Sequence, residues 1–260
     1  MAKLKYKRIL LKMSGEVFKG QLDGGIDYEV VVALAKRVKK VRDLGVEIGI
    51  VIGGGNIWRY RDNKASVRSK AGARSAGKAD ADYSRSGYEL DRVTSDTMGM
   101  MATNMNALAF EDVLNAVGCE AIALTAFPTP DAMKTYTVRR GRKNFKKGKV
   151  VIFGGGTGSP FFTTDSAAAM RALEMECDVL IKATKVDYVY DKDPIKFKNA
   201  KKFTKLTYDE VLEKGLEVMD MTCASLCEEG KLPMLVLNLA KPGLIEKACK
   251  GEKVGTIILP

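Results

Sequence analysis

The sequence predicts an α/β protein with a mainly parallel sheet, and three observations support this prediction. Short apolar runs of strand length alternate with segments in which apolar residues recur every three or four positions, as in helices that pack on a sheet. Two of these runs, far apart in the sequence, lead directly into glycine triplets. The 260 residues, 46% of them hydrophobic, are enough for the core of one large domain or two close lobes.

The first predicted strand covers residues 8–12 and ends in Lys12, just before the turn Ser14-Gly15. A lysine at this position can hold its ammonium group beside a bound phosphate, while the turn supplies backbone amides; a solvated lysine is the ordinary alternative. Asp27 is predicted to cap the next helix, which ends before Gly45. The apolar residues at helical spacing in it are Val31, Leu34, Ala35, Val38, Val41 and Leu44.

Two glycine loops are predicted to meet at one edge of the sheet. A buried strand at residues 46–52 leads into the glycines at 53–55, and another at residues 150–153 leads into glycines at 154, 155, 156 and 158. Because the carboxyl ends of parallel strands share an edge, both loops and Lys12 should lie together. Thr163, Thr164 and Asp165 offer cap chemistry to an alanine-rich helix that starts near Ser166, and the unpaired amides of its N-terminus would favour a bound anion such as phosphate at this edge. Each loop alone could be an ordinary glycine turn.

Residues 60–88 are rich in Ser, Gly, Ala, Lys and Arg, and basic residues outnumber acidic ones. Three interpretations stay open, namely a disordered surface loop, a contact with nucleic acid, and a lid over the site. Residues 72–78 have the spacing of a P-loop, but Ala79 replaces the required Ser or Thr and no buried strand precedes them. We therefore do not interpret this segment as a P-loop.

A long helix is predicted after residues 91–96, ending before Gly118. The residues assigned to its apolar face are Met101, Met105, Leu108, Ala109, Val113 and Ala116, and the methionines are predicted to pack in the core or between subunits. A turn-rich connection is expected at residues 126–137. Further strands are predicted at residues 121–124, 178–182, 233–237 and 255–259, the last at an edge of the sheet.

The loop at residues 183–194 is polar and aromatic, which suits a nucleotide base and ribose. After it, Thr207 and Glu210 have the spacing of a capping box for a helix that stops at Gly215.

Composition excludes several kinds of chemistry. The chain has no histidine, so a Ser-His-Asp triad, a Cys-His pair and a histidine-bound zinc cannot form. The five cysteines lack the spacing of a disulfide framework or zinc site, and Cys223 and Cys227 are predicted to pack within a helix. The net charge of +11 suits polyanionic partners, although a lysine-rich solvated surface would have the same charge. With no signal-peptide pattern or membrane-length apolar run, a cytoplasmic protein is expected.

Several motifs, taken together and in this order, resemble those of the bacterial UMP kinases, which belong to the amino-acid kinase family. They are found at residues 12–15 (KMSG), 51–56 (VIGGGN), 91–96 (DRVTSD), 98–103 (MGMMAT), 156–165 (GTGSPFFTTD), 182–187 (KATKVD) and 218–220 (VMD). The resemblance covers nearly the whole chain except residues 60–88. It implies a single three-layer αβα sandwich with a mainly parallel sheet, in which residues 1–165 bind the acceptor, residues 166–260 bind ATP and residues 60–88 form a basic insertion.

The same resemblance implies transfer of the γ-phosphoryl group of ATP to UMP, with Mg²⁺ held mainly by the ATP phosphates, in a cytoplasmic homohexamer. The implied catalytic residues are Lys12, Arg59 and Asp165, with Asp165 orienting the lysine and Asp220 a further candidate for that network. The implied ATP-binding residues are Lys12, Met13, Ser14, Gly15, Gly55, Arg59, Thr184, Tyr190 and Asp193. The implied UMP-binding residues are Gly54, Asp96 (at the ribose), Thr157, Gly158, Ser159, Pro160, Phe161, Phe162, Thr163 and Thr164.

The sequence departs from the family pattern at several places. Residues 60–88 stand where the family has a short segment, Tyr60 replaces the usual glycine after Arg59, and Ser159 replaces a common asparagine. Residues 23–27 also differ from the Gly-Phe-Gly-Ile-Asp of some members, so GTP activation is left open. Two alternatives remain, namely a different acceptor in the same family and a non-catalytic nucleotide-binding scaffold.

Overall fold

The structure is a computed structural model that describes residues 4–58 and 90–260. The strands in these ranges are β1 (Arg8–Met13), β2 (Glu47–Ile52), β3 (Ala121–Thr125), β4 (Lys134–Thr135), β5 (Val150–Gly154), β6 (Val179–Thr184), β7 (Val189–Tyr190), β8 (Lys202–Phe203), β9 (Lys205–Thr207), β10 (Met234–Asn238) and β11 (Thr256–Leu259). The helices are α1 (Tyr28–Arg42), α2 (Arg92–Ala116), α3 (Val138–Phe145), α4 (Thr164–Glu174), α5 (Tyr208–Glu213), α6 (Met221–Glu229) and α7 (Leu244–Cys249).

A nine-stranded sheet forms the centre, in the order β4-β3-β5-β2-β1-β6-β10-β11-β9. Every neighbouring pair in it is parallel except β10 with β11. The middle strands are almost continuously apolar because helices cover both faces of a parallel sheet. The predicted mainly parallel α/β fold is therefore confirmed.

Helices cover the two faces of the sheet as separate layers. One core contains residues of α1, α2 and α7 with every second residue of β1, including Ile9 and Leu11. The other core contains residues of α3 to α6 together with the remaining alternate residues of β1, such as Leu10. Since side chains alternate along a strand, Lys12 lies on the same face as Leu10 and so faces α4.

Three predicted helix caps are confirmed. Asp27 accepts hydrogen bonds from the backbone of Glu29 and Val30 at the start of α1. Thr207 and Glu210 form the capping box of α5. Thr163 accepts from the first amides of α4, and this helix begins at Thr164 rather than near Ser166. Residue types that suit a cap locally were enough to predict these helix starts.

The structure corrects one prediction and removes one of the two alternatives of another. Residues 255–259 contain a strand, but β11 is not at the edge, since the three-residue strand β9 pairs outside it. Met101 and Met105 are about half exposed at 53% and 54%, so neither is a core residue of this chain. Because α2 exposes apolar side chains and buries polar ones such as Asn104 and Asn106, spacing alone could not identify its buried face, to which Ala107 and Phe110 also belong.

Other elements were not predicted at all. The connection at residues 126–137 contains the two-residue strand β4, and α3 follows it directly. The short elements α7, β7, β8 and β9 were also missed, because runs of two to six residues carry little periodicity. Within residues 4–58 and 90–260, no helix has both the length and the apolar composition needed to cross a membrane.

Candidate active site

The glycine loops after β1 and β2 are in close contact at the carboxyl edge of the sheet. The amide of Gly53 donates to the carbonyl of Met13 at 2.9 Å, and a Cβ atom on Gly15 would lie only 2.3 Å from the carbonyl oxygen of Gly53. The buried pair Asn56 and Asn106 exchange side-chain hydrogen bonds, and Asn106 also donates to Gly53 at 2.8 Å. The loop after β5 lies at the same edge, because β5 pairs in parallel with β2 and Gly54 and Gly156 line one cavity, so the two glycine loops meet as the sequence predicted.

Lys12, Asp165 and Lys182 form a nearly buried ion-pair triad at the centre of this edge. Lys12 and Lys182 are partners in the β1–β6 register, so their side chains emerge side by side on the face that α4 covers. Asp165 stands in the first turn of α4 between them, with its two carboxylate oxygens 2.6 Å from Lys12 Nζ and 2.5 Å from Lys182 Nζ. All three side chains are at most 15% exposed. The arrangement concentrates positive charge beside a helix N-terminus, where an anion binds well.

The electrostatics of the triad favour the ionised form of Asp165. Burial raises the pKa of Asp165, but the ammonium groups of Lys12 and Lys182 outweigh burial and hold that pKa below its usual value. Burial lowers the pKa of Lys182, and its attraction to Asp165 opposes this shift. The site thus contains one buried carboxylate that two lysines share.

Asp220 fixes the N-terminus of α4 from a second helix. It caps α6 by accepting from the amide of Cys223 at 2.8 Å, and the same carboxylate accepts hydrogen bonds from the hydroxyls of Thr163 and Ser166. Thr163 is itself the cap of α4. Asp220 therefore holds the turn that positions Asp165, and this contact supports the predicted connection of Asp220 to that network.

The residues that the structure describes form three neighbouring cavities along this edge, and the first, with a volume of about 520 Å³, lies between α2 and the loop after β5. Asp96 lies on its wall, where it pairs with Arg92 at 2.8 Å and accepts a hydrogen bond from the amide of Phe161, also at 2.8 Å. Phe161 has a φ of 70°, which is uncommon for a bulky residue and often occurs at functional sites. Trp58 donates to Ser95 at 3.0 Å on the same wall.

The other two cavities continue the row. The third, of about 510 Å³, contains Lys12, Asp165 and Lys182, and it shares Thr163 and Thr164 with the first. The second, of about 550 Å³, lies among the loops after β6 and before α6. The second and third cavities share Lys182, Glu217 and Val218. The lysines and Asp165 therefore lie between the other two recesses, so ligands bound in those recesses would meet at the triad.

Most of the predicted site residues lie along this row, although their roles stay predictions. Those that line the first cavity are Gly54, Asp96, Thr157, Ser159, Phe162, Thr163 and Thr164. Those that line the second are Thr184, Tyr190 and Asp193. Gly158, Pro160 and Phe161 belong to the same loop but do not line the first cavity, and Met13 is fully buried. Met13, Ser14, Gly15 and Gly55 lie where β1 and β2 end, whereas Arg59 lies outside the described residues.

Sequence reasoning missed several residues of the row. Lys182 ends the strand predicted at residues 178–182 just as Lys12 ends the one predicted at residues 8–12, and that signal could have identified it. Trp58, Arg92 and Ser95 line the first cavity, and Glu217 lines the second and third. Neither their spacing nor their residue type indicated these positions, which depend on the packing of α2 and of the segment before α6.

Comparison with known families gives a match over most of the chain. Residues 7–238 match the model described as "Amino acid kinase family". The matched region extends from β1 to the end of β10 and so includes the triad and the residues that line all three cavities.

Solved structures with the same fold include two that are titled UMP kinase and one that is titled uridylate kinase. The chain is 34% identical to the UMP kinase of Bacillus anthracis, with a TM-score of 0.86 over 98% of this chain and 96% of that one. It is also 34% identical to the UMP kinase of Ureaplasma parvum, with a TM-score of 0.84 over 98% and 100% of the two chains. The uridylate kinase of Archaeoglobus fulgidus is 25% identical, with a TM-score of 0.66 over 96% and 99%.

Proposed function

This chain belongs to the amino acid kinase family, and we propose that it transfers the γ-phosphoryl group of ATP to UMP, giving ADP and UDP. The observation that carries the proposal is the row of cavities, with Lys12, Asp165 and Lys182 in the middle cavity and one further recess on either side of it. The near full-length similarity to two UMP kinases supports the choice of UMP among acceptors.

The reaction needs charge stabilisation more than proton transfer. An oxygen of the UMP phosphate attacks the γ-phosphorus while the bond to the β,γ-bridging oxygen breaks, and ADP leaves with the electron pair. The second pKa of a phosphate monoester is about 6, so near neutral pH the acceptor is mostly a dianion and requires no general base. Lys12 and Lys182 would stabilise the charge on the moving phosphoryl group, and Asp165 would keep both ammonium groups in place. A chain without histidine is suited to this chemistry.

The proposed division of the chain follows the cavities. The first cavity would hold UMP, with Asp96 at the ribose and Gly54 with residues 157–164 around the rest of the nucleotide. The second cavity would hold the adenosine of ATP beside Thr184, Tyr190 and Asp193. The loops after β1 and β2 would approach the phosphates. Residues 1–165 would thus supply most of the acceptor site, and residues 166–260 most of the ATP site. The enzyme would act in the cytoplasm.

Magnesium would enter with ATP. Mg²⁺ prefers oxygen ligands and in kinases is bound by substrate phosphates together with one or two carboxylates. The third cavity offers Asp220 as a nearby carboxylate, and its oxygens already accept hydrogen bonds from Thr163, Ser166 and Cys223. One carboxylate that is already engaged in hydrogen bonds fits a metal ion held mainly by the ATP phosphates. Bound there, Mg²⁺ would neutralise part of the phosphate charge.

The acceptor is tested by measuring ADP formation from Mg-ATP with UMP, CMP, dUMP, GMP and carbamate, each offered separately to the full chain. We expect turnover with UMP to exceed turnover with every other acceptor. A clear preference for another acceptor would contradict the proposal in favour of a different kinase of the family. Measurable ATP binding without turnover on any acceptor would favour the non-catalytic scaffold.

We also propose that α2 packs against other copies of the chain in a homo-oligomer, for which the sequence resemblance implies a hexamer. Met98, Met101, Met105 and Leu108 recur every three or four residues along α2, and each is at least 36% exposed. Such a stripe on a helix suits contact with a second helix. A contact of nucleic acid with residues 60–88 stays a prediction, since these residues fall within the part not described.

The double substitution Met101→Glu and Met105→Glu is expected to dissociate the oligomer, because carboxylates in an apolar interface lose hydration without gaining partners. Analytical ultracentrifugation or light scattering would show the change in mass. Leu212→Glu, at a similarly exposed apolar position on α5, is the matched control and should leave the mass unchanged. An unchanged mass for the α2 double variant would remove α2 from the interface.

A further inference from the structure

Glu217 lies at the junction between the second cavity and the third. Of the residues that line both, Lys182 is paired with Asp165 and Val218 is apolar, so Glu217 supplies the acidic side chain of this boundary. The inference drawn from this position rests on the proposed function, in which the second cavity holds the base of ATP and the third holds the reacting phosphates. In a nucleotide the ribose joins the base to the phosphates and must therefore pass this junction.

The backbone around Glu217 is fixed by a tight turn. The amide of Val218 donates to the carbonyl of Leu216 at 2.8 Å, so Glu217 is the central residue of a three-residue γ-turn. On one side Leu216 is anchored to Val211 at the end of α5, and on the other Asp220 caps α6. The side chain of Glu217 therefore projects from an anchored position.

Glu217 also differs from the other carboxylates of the two cavities in having no partner among residues 4–58 and 90–260. Asp165 pairs with two lysines, and Asp220 accepts from two hydroxyls and one amide. Asp191 and Asp193 accept from the backbone amides of Lys201 and Ile195 in their own loop. Glu217 is exposed, and no hydrogen bond or ion pair to a described residue engages its carboxylate.

We propose that Glu217 accepts hydrogen bonds from the ribose 2′- and 3′-hydroxyls of the nucleoside triphosphate donor, and thereby makes the enzyme prefer ribonucleotide over deoxyribonucleotide donors. A carboxylate has two acceptor oxygens, which suits a pair of neighbouring hydroxyl groups. Hydrogen bonds to a charged group are among the stronger ones, and a site built to bind a hydroxyl discriminates well against the analogue that lacks it.

The test compares the binding of ATP, 2′-deoxy-ATP and 3′-deoxy-ATP to the full chain by calorimetry, with Mg²⁺ and without any acceptor. We expect the wild-type chain to bind ATP about 10-fold more tightly than either deoxy analogue. Glu217→Ala should weaken the binding of ATP, which loses two hydrogen bonds, more than that of either deoxy analogue, which loses one, and should thereby abolish the preference. Glu213→Ala, at an exposed glutamate of α5 that lines neither cavity, is the matched control and should retain the wild-type preference.

Three results would overturn the inference. The first is a Glu217→Ala chain that keeps the wild-type preference for ATP. The second is tighter ATP binding by this variant, which would mean that Glu217 faces the phosphates and repels them. The third is a change in the Mg²⁺ concentration for half-maximal binding with the ribose preference intact, which would make Glu217 a metal ligand. Because these measurements need no acceptor, a failure of UMP phosphorylation alone would contradict the proposed function and leave this inference standing.

Discussion

Asp165→Asn is expected to lower kcat for UMP phosphorylation by about 10²- to 10³-fold, the scale of loss seen when one preorganised charge-stabilising group is removed. In the wild-type chain one carboxylate holds the ammonium groups of Lys12 and Lys182, at 2.6 and 2.5 Å. The amide of asparagine carries no charge, and its nitrogen is a donor that cannot accept from a lysine. The two ammonium groups would then repel each other and leave the positions that the transferred phosphoryl group requires.

The measurement is steady-state ADP release with saturating ATP and UMP. Removing one partner of a buried ion pair also costs about 3–5 kcal/mol of folding stability, so circular dichroism and ATP affinity must show that the variant is folded. Asp209→Asn, at an exposed aspartate of α5, is the matched control and should keep wild-type kcat. A folded Asp165→Asn chain with near wild-type kcat would contradict the role of the triad.

Lys12→Ala is expected to lower kcat by about 10³-fold and to change the dissociation constant for UMP less than about 3-fold. Lys12 lines the third cavity, where the reacting groups would meet, and does not line the first cavity, where UMP is proposed to bind. Its ammonium group should therefore interact most strongly with the charge of the transition state. Lys182→Ala should lower kcat as well, and it should also weaken ATP binding because Lys182 lines the second cavity.

Single-turnover kinetics combined with equilibrium binding of UMP would separate these effects. Lys36→Ala, at an exposed lysine of α1 in the opposite helix layer, should match the wild-type chain in both measurements. An unchanged turnover rate in Lys12→Ala would remove Lys12 from the mechanism. A loss confined to UMP affinity would instead move it into the acceptor site.

Local sequence was sufficient for the features that depend on neighbouring residues. Apolar runs predicted the central strands within one or two residues, because strands buried on both faces need continuous hydrophobicity. Asp27, Thr163 and the pair Thr207 and Glu210 marked helix starts, because capping uses side chains within three residues of the cap. The glycine loops, together with the order of the motifs, predicted both the site and the family.

Long-range packing decided what local sequence could not. The exposure of Met101 and Met105 depends on which side of a helix with apolar residues on both sides meets the sheet. The position of β9 outside β11 depends on pairing across a long sequence separation, which three residues cannot specify alone.

The site shows the same division between sequence and tertiary structure. The sequence by itself determined that lysine, aspartate and glycine loops gather at one sheet edge, because strands of a parallel sheet end together. Only the tertiary structure decided that Lys182 stands beside Lys12 and shares Asp165, since this follows from the register of β1 with β6, strands that lie about 170 residues apart in the sequence. It likewise placed Glu217 between two cavities, because segments brought together only by folding form their walls.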